Sequence, residues 1–164
     1  MIGVINQAKI IERIKNIPDP EIPVISIADL GILRDIVFTG DKAEVIITPT
    51  YSGCPAMKVI EDEIKEVMRE EGVADVKVKL AYSPVWTTDW LSEDAKERLR
   101  AYGISPPEKT SSDKNLLAVH KKEIKCPRCG SVKTIMVSPF GSTACKALYK
   151  CENCLEPFDY FKCH

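Results

Sequence analysis

The stretch "TPTYSGCPAMKVIEDEI" (Thr48–Ile64) changes its period half-way along. Residues 43–49 (AEVIITP) alternate in twos and read as a strand. From Pro55 the period becomes 3.6: Met57, Ile60, Ile64, Val67 and Met68 share one face, with Lys58, Glu61, Asp62, Glu63 and Lys65 away from it. Gly72 ends that helix, because glycine accepts the left-handed backbone that closes a last turn. "DVKVKLAY" (75–82) then alternates Val76, Val78 and Leu80 against Lys77 and Lys79, the pattern of a half-buried strand. Strand, helix and strand in that order imply a parallel pair with a right-handed crossover.

Working outward, residues 32–38 (ILRDIVF) form a second strand pattern, and Thr39-Gly40-Asp41-Lys42 is a turn signal, so a close antiparallel hairpin is expected. Further back, Ala8, Ile11, Ile14 and Ile17, with Val4 a turn earlier, predict a short amphipathic helix ending at Pro18. Pro18, Pro20 and Pro23 exclude regular structure in the following segment. Ser92 can cap a last helix through about Tyr102. "GISPPEKTSSDKN" (103–115) has no apolar period and reads as a boundary. The expected fold class is α/β (α+β): a small mixed sheet with helices over residues 1–102, a linker over 103–123, and a cysteine-rich module over 124–164.

Of 164 residues, 45% are hydrophobic and 29% charged, the balance of an ordinary soluble globular protein. No apolar stretch approaches the roughly 18 residues of a membrane span. Lys9, Glu12 and Arg13 interrupt the N-terminal segment too early for a signal peptide, so a cytoplasmic location with no membrane partner is expected. Residues 1–120 carry 15 basic and 20 acidic side chains, and residues 121–164 carry 8 and 4, which points to two units with different partners.

The cysteines divide the same way, one in the first 125 residues and six in the last 39. "CPRCG" (126–130) and "CENC" (151–154) are two Cys-x2-Cys pairs separated by 21 residues. Each pair can set two thiolates on one tight turn, and two such turns can close a tetrahedron around zinc. Cys126, Cys129, Cys151 and Cys154 are therefore expected to hold zinc in a ribbon, with Tyr149, Phe158, Tyr160 and Phe161 as a modest aromatic core. Forty residues bury too little surface to fold well alone, so the metal would supply much of the folding energy. Cys145, Cys163 and His164 remain as spare thiols, a second site, or alternative ligands for an iron–sulfur cluster. The basic residues of this module are dispersed, so its electrostatic footprint for nucleic acid is weak.

Cys54 is different. Pro55 suits the first helical position, so Cys54 sits where unpaired backbone N–H groups and the positive end of the helix dipole converge. Both favour a thiolate, and a lowered pKa is expected. Gly53 lets the chain turn tightly, and Thr48, Thr50, Tyr51 and Ser52 supply hydroxyls for a sulfur or a ligand. The residue types fit a nucleophile, a metal ligand, or simply a small buried side chain at a helix start. Only His120 and His164 could serve as a base, neither is near in sequence, and cysteine–histidine catalysis is not expected.

"DPEIPVISIADLGILRDI" (19–36), "TPTYSGCP" (48–55) and "SPVWTTDW" (83–90) resemble the metal–sulfur cluster assembly domain of iron–sulfur maturation factors. "CPRCGS" (126–131) and "SPFGSTACKALYKCENCLEPFDYFKCH" (138–164) more narrowly resemble the PaaD family (also called PaaJ) of the phenylacetyl-CoA epoxidase system. The resemblance implies that Cys54 is the functional thiol, near Asp19, Glu21 and Asp29 with Thr50 beside it, and that the tail binds zinc. It also implies an auxiliary role in maturing the multicomponent epoxidase, with iron or an iron–sulfur cluster held transiently. Its partners would be the other epoxidase subunits, iron–sulfur assembly proteins, or a second copy of the chain. The sequence agrees in lacking oxygenase machinery, having neither a Glu-x-x-His pair nor a Gly-x-Gly-x-x-Gly fingerprint. The alternatives are a non-catalytic docking subunit of the oxygenase and a zinc-ribbon nucleic-acid binder. By the residues themselves, Asp19-Pro20-Glu21 could equally be a turn capping the first helix, Trp86 and Trp90 core anchors, and Asp89 a local cap.

Overall fold

The computed structural model describes residues 6–107 and 123–162. The chain forms two compact units that divide between Leu91 and Ser92.

In the first unit, helix α1 spans Gln7–Lys15, strand β1 Leu33–Thr39, strand β2 Lys42–Ile47, helix α2 Ala56–Glu70 and strand β3 Asp75–Leu80. The sheet order is β1-β2-β3, with β2 antiparallel to β1 and parallel to β3. β1 and β2 meet in a hairpin whose end pair is Thr39 with Lys42, and Gly40 takes a positive φ of 63° to close it. The mixed sheet expected from the two periods is present. Along β2 the side chains of Ala43, Val45 and Ile47 are buried and those between them are partly open, the alternation of a half-buried strand. β3 lies on the sheet's edge, which leaves Val76 and Val78 half-buried and Leu80 exposed rather than half-buried as its pattern implies.

Helix α2 buries Ala56, Met57, Ile60, Ile64 and Met68, the face set by its 3.6 period, with Val67 at its margin. Helix α1 differs from its expected face. Ile10, Ile14 and Ile17 are buried, while Ile11 is half-buried and Ala8 exposed. The expected Val4 lies outside the described residues. Arg13 and Lys9 reach Glu71, at 2.7 and 2.8 Å, and tie α1 to the end of α2.

The proline-rich segment between α1 and β1 holds its shape by short-range bonds. Asp19 N–H donates to the Ile25 carbonyl at 2.9 Å, and Pro18 and Ser26 form an isolated antiparallel bridge. Trp86 is a core anchor, 2% exposed, its indole N–H donating to the Leu30 carbonyl at 2.7 Å. Trp90 is half-buried, covers Gly31 and carries the Arg34 guanidinium 4.3 Å from its ring centroid. Gly31 has a φ of +72°, and a Cβ there would lie 3.0 Å from that of Trp90, so only glycine fits without strain.

The second unit holds helix α3 (Glu93–Tyr102) and strands β4 (Ile104–Ser105), β5 (Thr134–Ser138), β6 (Lys146–Cys151) and β7 (Pro157–Phe161). Ser92 caps α3 as expected, its hydroxyl accepting from Ala95 N–H at 3.0 Å. The expected division of the chain after Tyr102 differs from this clustering. Ile104 and Ser105, at the start of the expected linker, pair in parallel with Asp159 and Tyr160 of β7 and so join the C-terminal sheet. The sheet order is β4-β7-β6-β5, with β5, β6 and β7 successively antiparallel. Ile124, Cys126, Ala147, Cys151, Phe158 and Tyr160 form its core, and Tyr149 packs on it with ring centroids 5.9 Å from Phe158 and 5.7 Å from Tyr160.

Replacing Trp86 by Phe removes the indole N–H that donates to the Leu30 carbonyl while keeping an aromatic ring in the core. Urea unfolding should show a loss of about 1–3 kcal/mol with an unchanged m-value.

Candidate functional site

Two sulfur sites are built by different means. In the C-terminal unit the hairpin of β5 and β6 and the turn into β7 bring two Cys-x2-Cys loops face to face. Cys126 Sγ lies 3.7 Å from Cys154 Sγ, and Cys129 Sγ lies 3.6 Å from Cys151 Sγ. All four sulfurs fall within 4.8 Å of one another. A zinc–sulfur bond of about 2.3 Å places the corners of a tetrahedron about 3.8 Å apart, so this donor set fits a tetrahedral metal ion.

The loops show why the spacing works. Gly130 N–H donates to the Cys126 carbonyl at 2.9 Å, and Gly130 takes a φ of +74°, which turns the chain back so that Cys129 faces Cys126. Backbone N–H groups of Asn153 and Cys154 point at Cys151 Sγ, at 3.4 and 3.5 Å. Such donors stabilise negative sulfur.

Crowding separates the thiols. Cys129 is lowered to about 6, chiefly by the Ser131 backbone N–H, with further help from Cys151, Asn153 and Cys154. Cys154 receives the Glu156 N–H, which favours its charged form, yet burial and the sulfurs of Cys151, Cys129 and Cys126 push it up to about 12. Four negative sulfurs this close repel unless a cation sits among them. The cluster is a metal-binding one.

Cys145 does not join it. Its thiol is buried and lies 3.0 Å from the Thr143 hydroxyl. Cys163 and His164, also candidates, lie outside the described residues.

The second site is Cys54, at the carboxyl end of β2 where the chain enters α2. Its N–H donates to the Tyr51 carbonyl at 3.3 Å and its carbonyl accepts from Met57 N–H, so the residue is locked into the first turn. The helix-start position is as expected. The protonation state is not: the thiol is only 8% exposed, and its pKa is raised rather than lowered. Burial is the largest cause, and the Glu21 carboxylate adds to it. The Ala56 N–H and the Tyr51 and Thr50 hydroxyls, all donating toward the sulfur, pull the other way without winning. Cys54 is a buried neutral thiol with three donors around it.

The structure therefore brings Glu21, Thr50 and Tyr51 to Cys54, and gives Asp19 and Asp29 other visible tasks. Asp19, 6% exposed, accepts from the backbone N–H groups of Glu21 and Ile22 at 2.9 and 2.8 Å, closing its own turn rather than capping α1. By doing so it fixes Glu21. Asp29 accepts from the N–H and hydroxyl of Ser26, both at 2.9 Å. Asp89, expected as a local cap, lies in the short turn Thr88–Trp90, where its N–H donates to the Thr87 hydroxyl at 3.3 Å. Among the described residues, Cys54, Asp19, Glu21 and Asp29 do not converge as the four ribbon cysteines do. Thr48, at the end of β2, keeps a buried hydroxyl with no hydrogen-bond partner. In the sequence it is one of several neighbouring hydroxyls, with no signal that singles it out.

Comparison with known proteins follows the same division. Residues 7–80 match the family model of the iron–sulfur cluster assembly protein, and residues 110–162 match that of the PaaD zinc beta ribbon domain. The chain is 53% identical over 150 residues to an Escherichia coli K12 protein provisionally named as a subunit of 1,2-phenylacetyl-CoA epoxidase, covering 92% of this chain and 88% of that one. This chain belongs to the PaaD family. Its N-terminal part is also 36% identical over 88 residues to an Fe-S protein maturation auxiliary factor of Porphyromonas gingivalis, covering 52% of this chain and 83% of the relative. A crystal structure of a domain of unknown function, DUF59, from Bacillus anthracis is similar at a TM-score of 0.51 with 26% identity, over 57% of this chain and 90% of that one. This chain thus joins an assembly-type domain, in which Cys54 lies, to a ribbon with four clustered cysteines.

Metal removal should act on the ribbon first. Chelation is expected to abolish the near-ultraviolet circular dichroism of Tyr149 and Tyr160, and to do so faster as pH falls, because protons compete with the metal for the sulfurs. A Cys126→Ser variant should already show the stripped signal.

Proposed function

We propose that this PaaD-family protein is an accessory maturation factor of a multicomponent phenylacetyl-CoA epoxidase. In this reading it receives iron or an iron–sulfur cluster at Cys54 and hands it to an epoxidase subunit or an assembly partner. Its ribbon holds zinc on Cys126, Cys129, Cys151 and Cys154 and serves as a docking module. The observation that carries the reading is the environment of Cys54, a buried thiol set among three donors and beside a carboxylate, in a domain of the iron–sulfur assembly type.

The electrostatics of Cys54 favour a cation over a free thiolate. Burial and Glu21 both resist a lone negative sulfur. A cation arriving there reverses both effects, since it neutralises the sulfur and is itself attracted to Glu21. Binding would release the thiol proton, and the Ala56, Tyr51 and Thr50 donors would then stabilise the charged sulfur. Asp19 acts through its turn, holding Glu21 in place. Because no further protein ligand converges on Cys54 among the described residues, coordination is incomplete, and a donor or client supplies what is missing. Weak, partial ligation suits transfer, because release then breaks few bonds.

Cys126, Cys129, Cys151 and Cys154 would together complete the coordination of a tetrahedral zinc ion, whose role would then be structural rather than catalytic. Its chemistry is to neutralise the sulfurs and to stabilise a small sheet.

A second reading, a docking subunit that handles no metal through Cys54, is favoured by one observation, the near-complete burial of that thiol. Co-expression with the remaining epoxidase subunits separates the two. With Cys54→Ala the epoxidase is expected to lose at least tenfold in activity and in iron content while the complex still assembles. Full activity in that background would leave the docking role as the better account.

A further inference from the structure

In the C-terminal sheet, β5 is an outer strand among the described residues, which pair it on one side, to β6. Its centre is apolar and open: Ile135, Met136 and Val137 are 48%, 56% and 57% exposed, and Val132 and Phe140 beyond its ends are exposed as well. Soluble proteins usually blunt such an edge with charge, proline or a bulge. Thr134–Ser138 carries no charge and no proline, although Pro139 follows it directly and the strand bulges at Val137. The pairing with β6 slips between Met136 and Ser138, so Val137 has no partner residue on β6 and is left to the free side.

The order of residues along β5 indicates what fits it. About Met136 the sequence Thr-Ile-Met-Val-Ser (134–138) is chemically symmetric. If a second copy runs antiparallel with Met136 opposite Met136, each Ile135 faces a Val137 and each Thr134 faces a Ser138. Apolar meets apolar and hydroxyl meets hydroxyl, the cross-strand pairs that stabilise a sheet. Lys133 then faces Pro139 rather than another Lys133. A two-fold interface needs this self-complementarity, in which residue i meets j and j meets i.

We propose that β5 is a self-association edge, through which two copies of this chain join their C-terminal sheets into one continuous sheet about a two-fold axis at Met136. The interface is independent of the metal cluster's ligands and of Cys54, and it stands whether or not Cys54 handles a metal.

The pairing of Ile135 with Val137 gives a test by loss and rescue. Sedimentation of the full-length, metal-loaded protein over a hundredfold concentration range should show a monomer–dimer equilibrium. Ile135→Lys alone and Val137→Glu alone should each weaken dimerisation at least tenfold, since each buries an unpaired charge. The double variant Ile135→Lys/Val137→Glu sets the introduced lysine of each copy against the introduced glutamate of the other, twice across the axis. It should dimerise again in low salt and dissociate in high salt. Metal content and circular dichroism show that each variant keeps its fold. The proposal is overturned by a parent chain that stays monomeric throughout, by single variants that dimerise like the parent, or by a folded double variant that stays apart in low salt.

Discussion

Two parallel strands cannot be joined by a tight turn, and the first unit is organised by that constraint. β2 and β3 run side by side in the same direction, so the chain must leave the carboxyl end of β2, cross through α2 and return. In the crossover loop the backbone leaves the sheet at Ile47 and enters α2 at Ala56, and Cys54 lies at its helical end. Val45, Ile47, Ile60, Ile64 and Met68 are all at or near zero exposure, so strand and helix are fixed by packing and the loop between them has little freedom. The thiol is positioned by the same burial that keeps it neutral. The second unit has a core of its own around Ala147, Phe158 and Tyr160, in which two of the four clustered cysteines, Cys126 and Cys151, take part.

The two sulfur sites therefore pose opposite electrostatic problems. In the ribbon, too many thiols crowd together, so a cation is required to hold them and the site is closed once filled. At Cys54, a single thiol is shielded from water and faces a carboxylate, so it stays protonated, and in the proposed reading it would offer an arriving cation only partial ligation. On the proposed reading, one arrangement would keep its metal and the other would pass it on, so the chain could stay folded through the ribbon metal while a cargo site fills and empties.

Much of this was legible in the sequence because period and spacing are local properties. The switch from two to 3.6 at Pro55, the strand at 75–80 and the Cys-x2-Cys pairs needed no tertiary information. What failed needed it. The face of α1 was misplaced because the doublet Ile10-Ile11 supports two apolar tracks, and only packing selects Ile10 with Ile14 and Ile17. β4 is two residues long and has no period of its own; it exists because β7 offers an edge to Ile104 and Ser105. The charge state of Cys54 was inverted because a helix start is visible in sequence and the depth of burial around it is not. Asp19 and Glu21 are adjacent in motif but differ in task, since a turn spends one carboxylate on backbone N–H groups and leaves the other near the sulfur.

The central claim is that Cys54 carries a metal cargo distinct from the ribbon's resident ion. Zinc, iron and acid-labile sulfide should be measured in anaerobically purified protein, parent beside Cys54→Ala. The account predicts equal zinc in both, with iron, alone or with sulfide, in the parent and absent from the variant. Equal zinc with no iron in either, even after reconstitution, would contradict it.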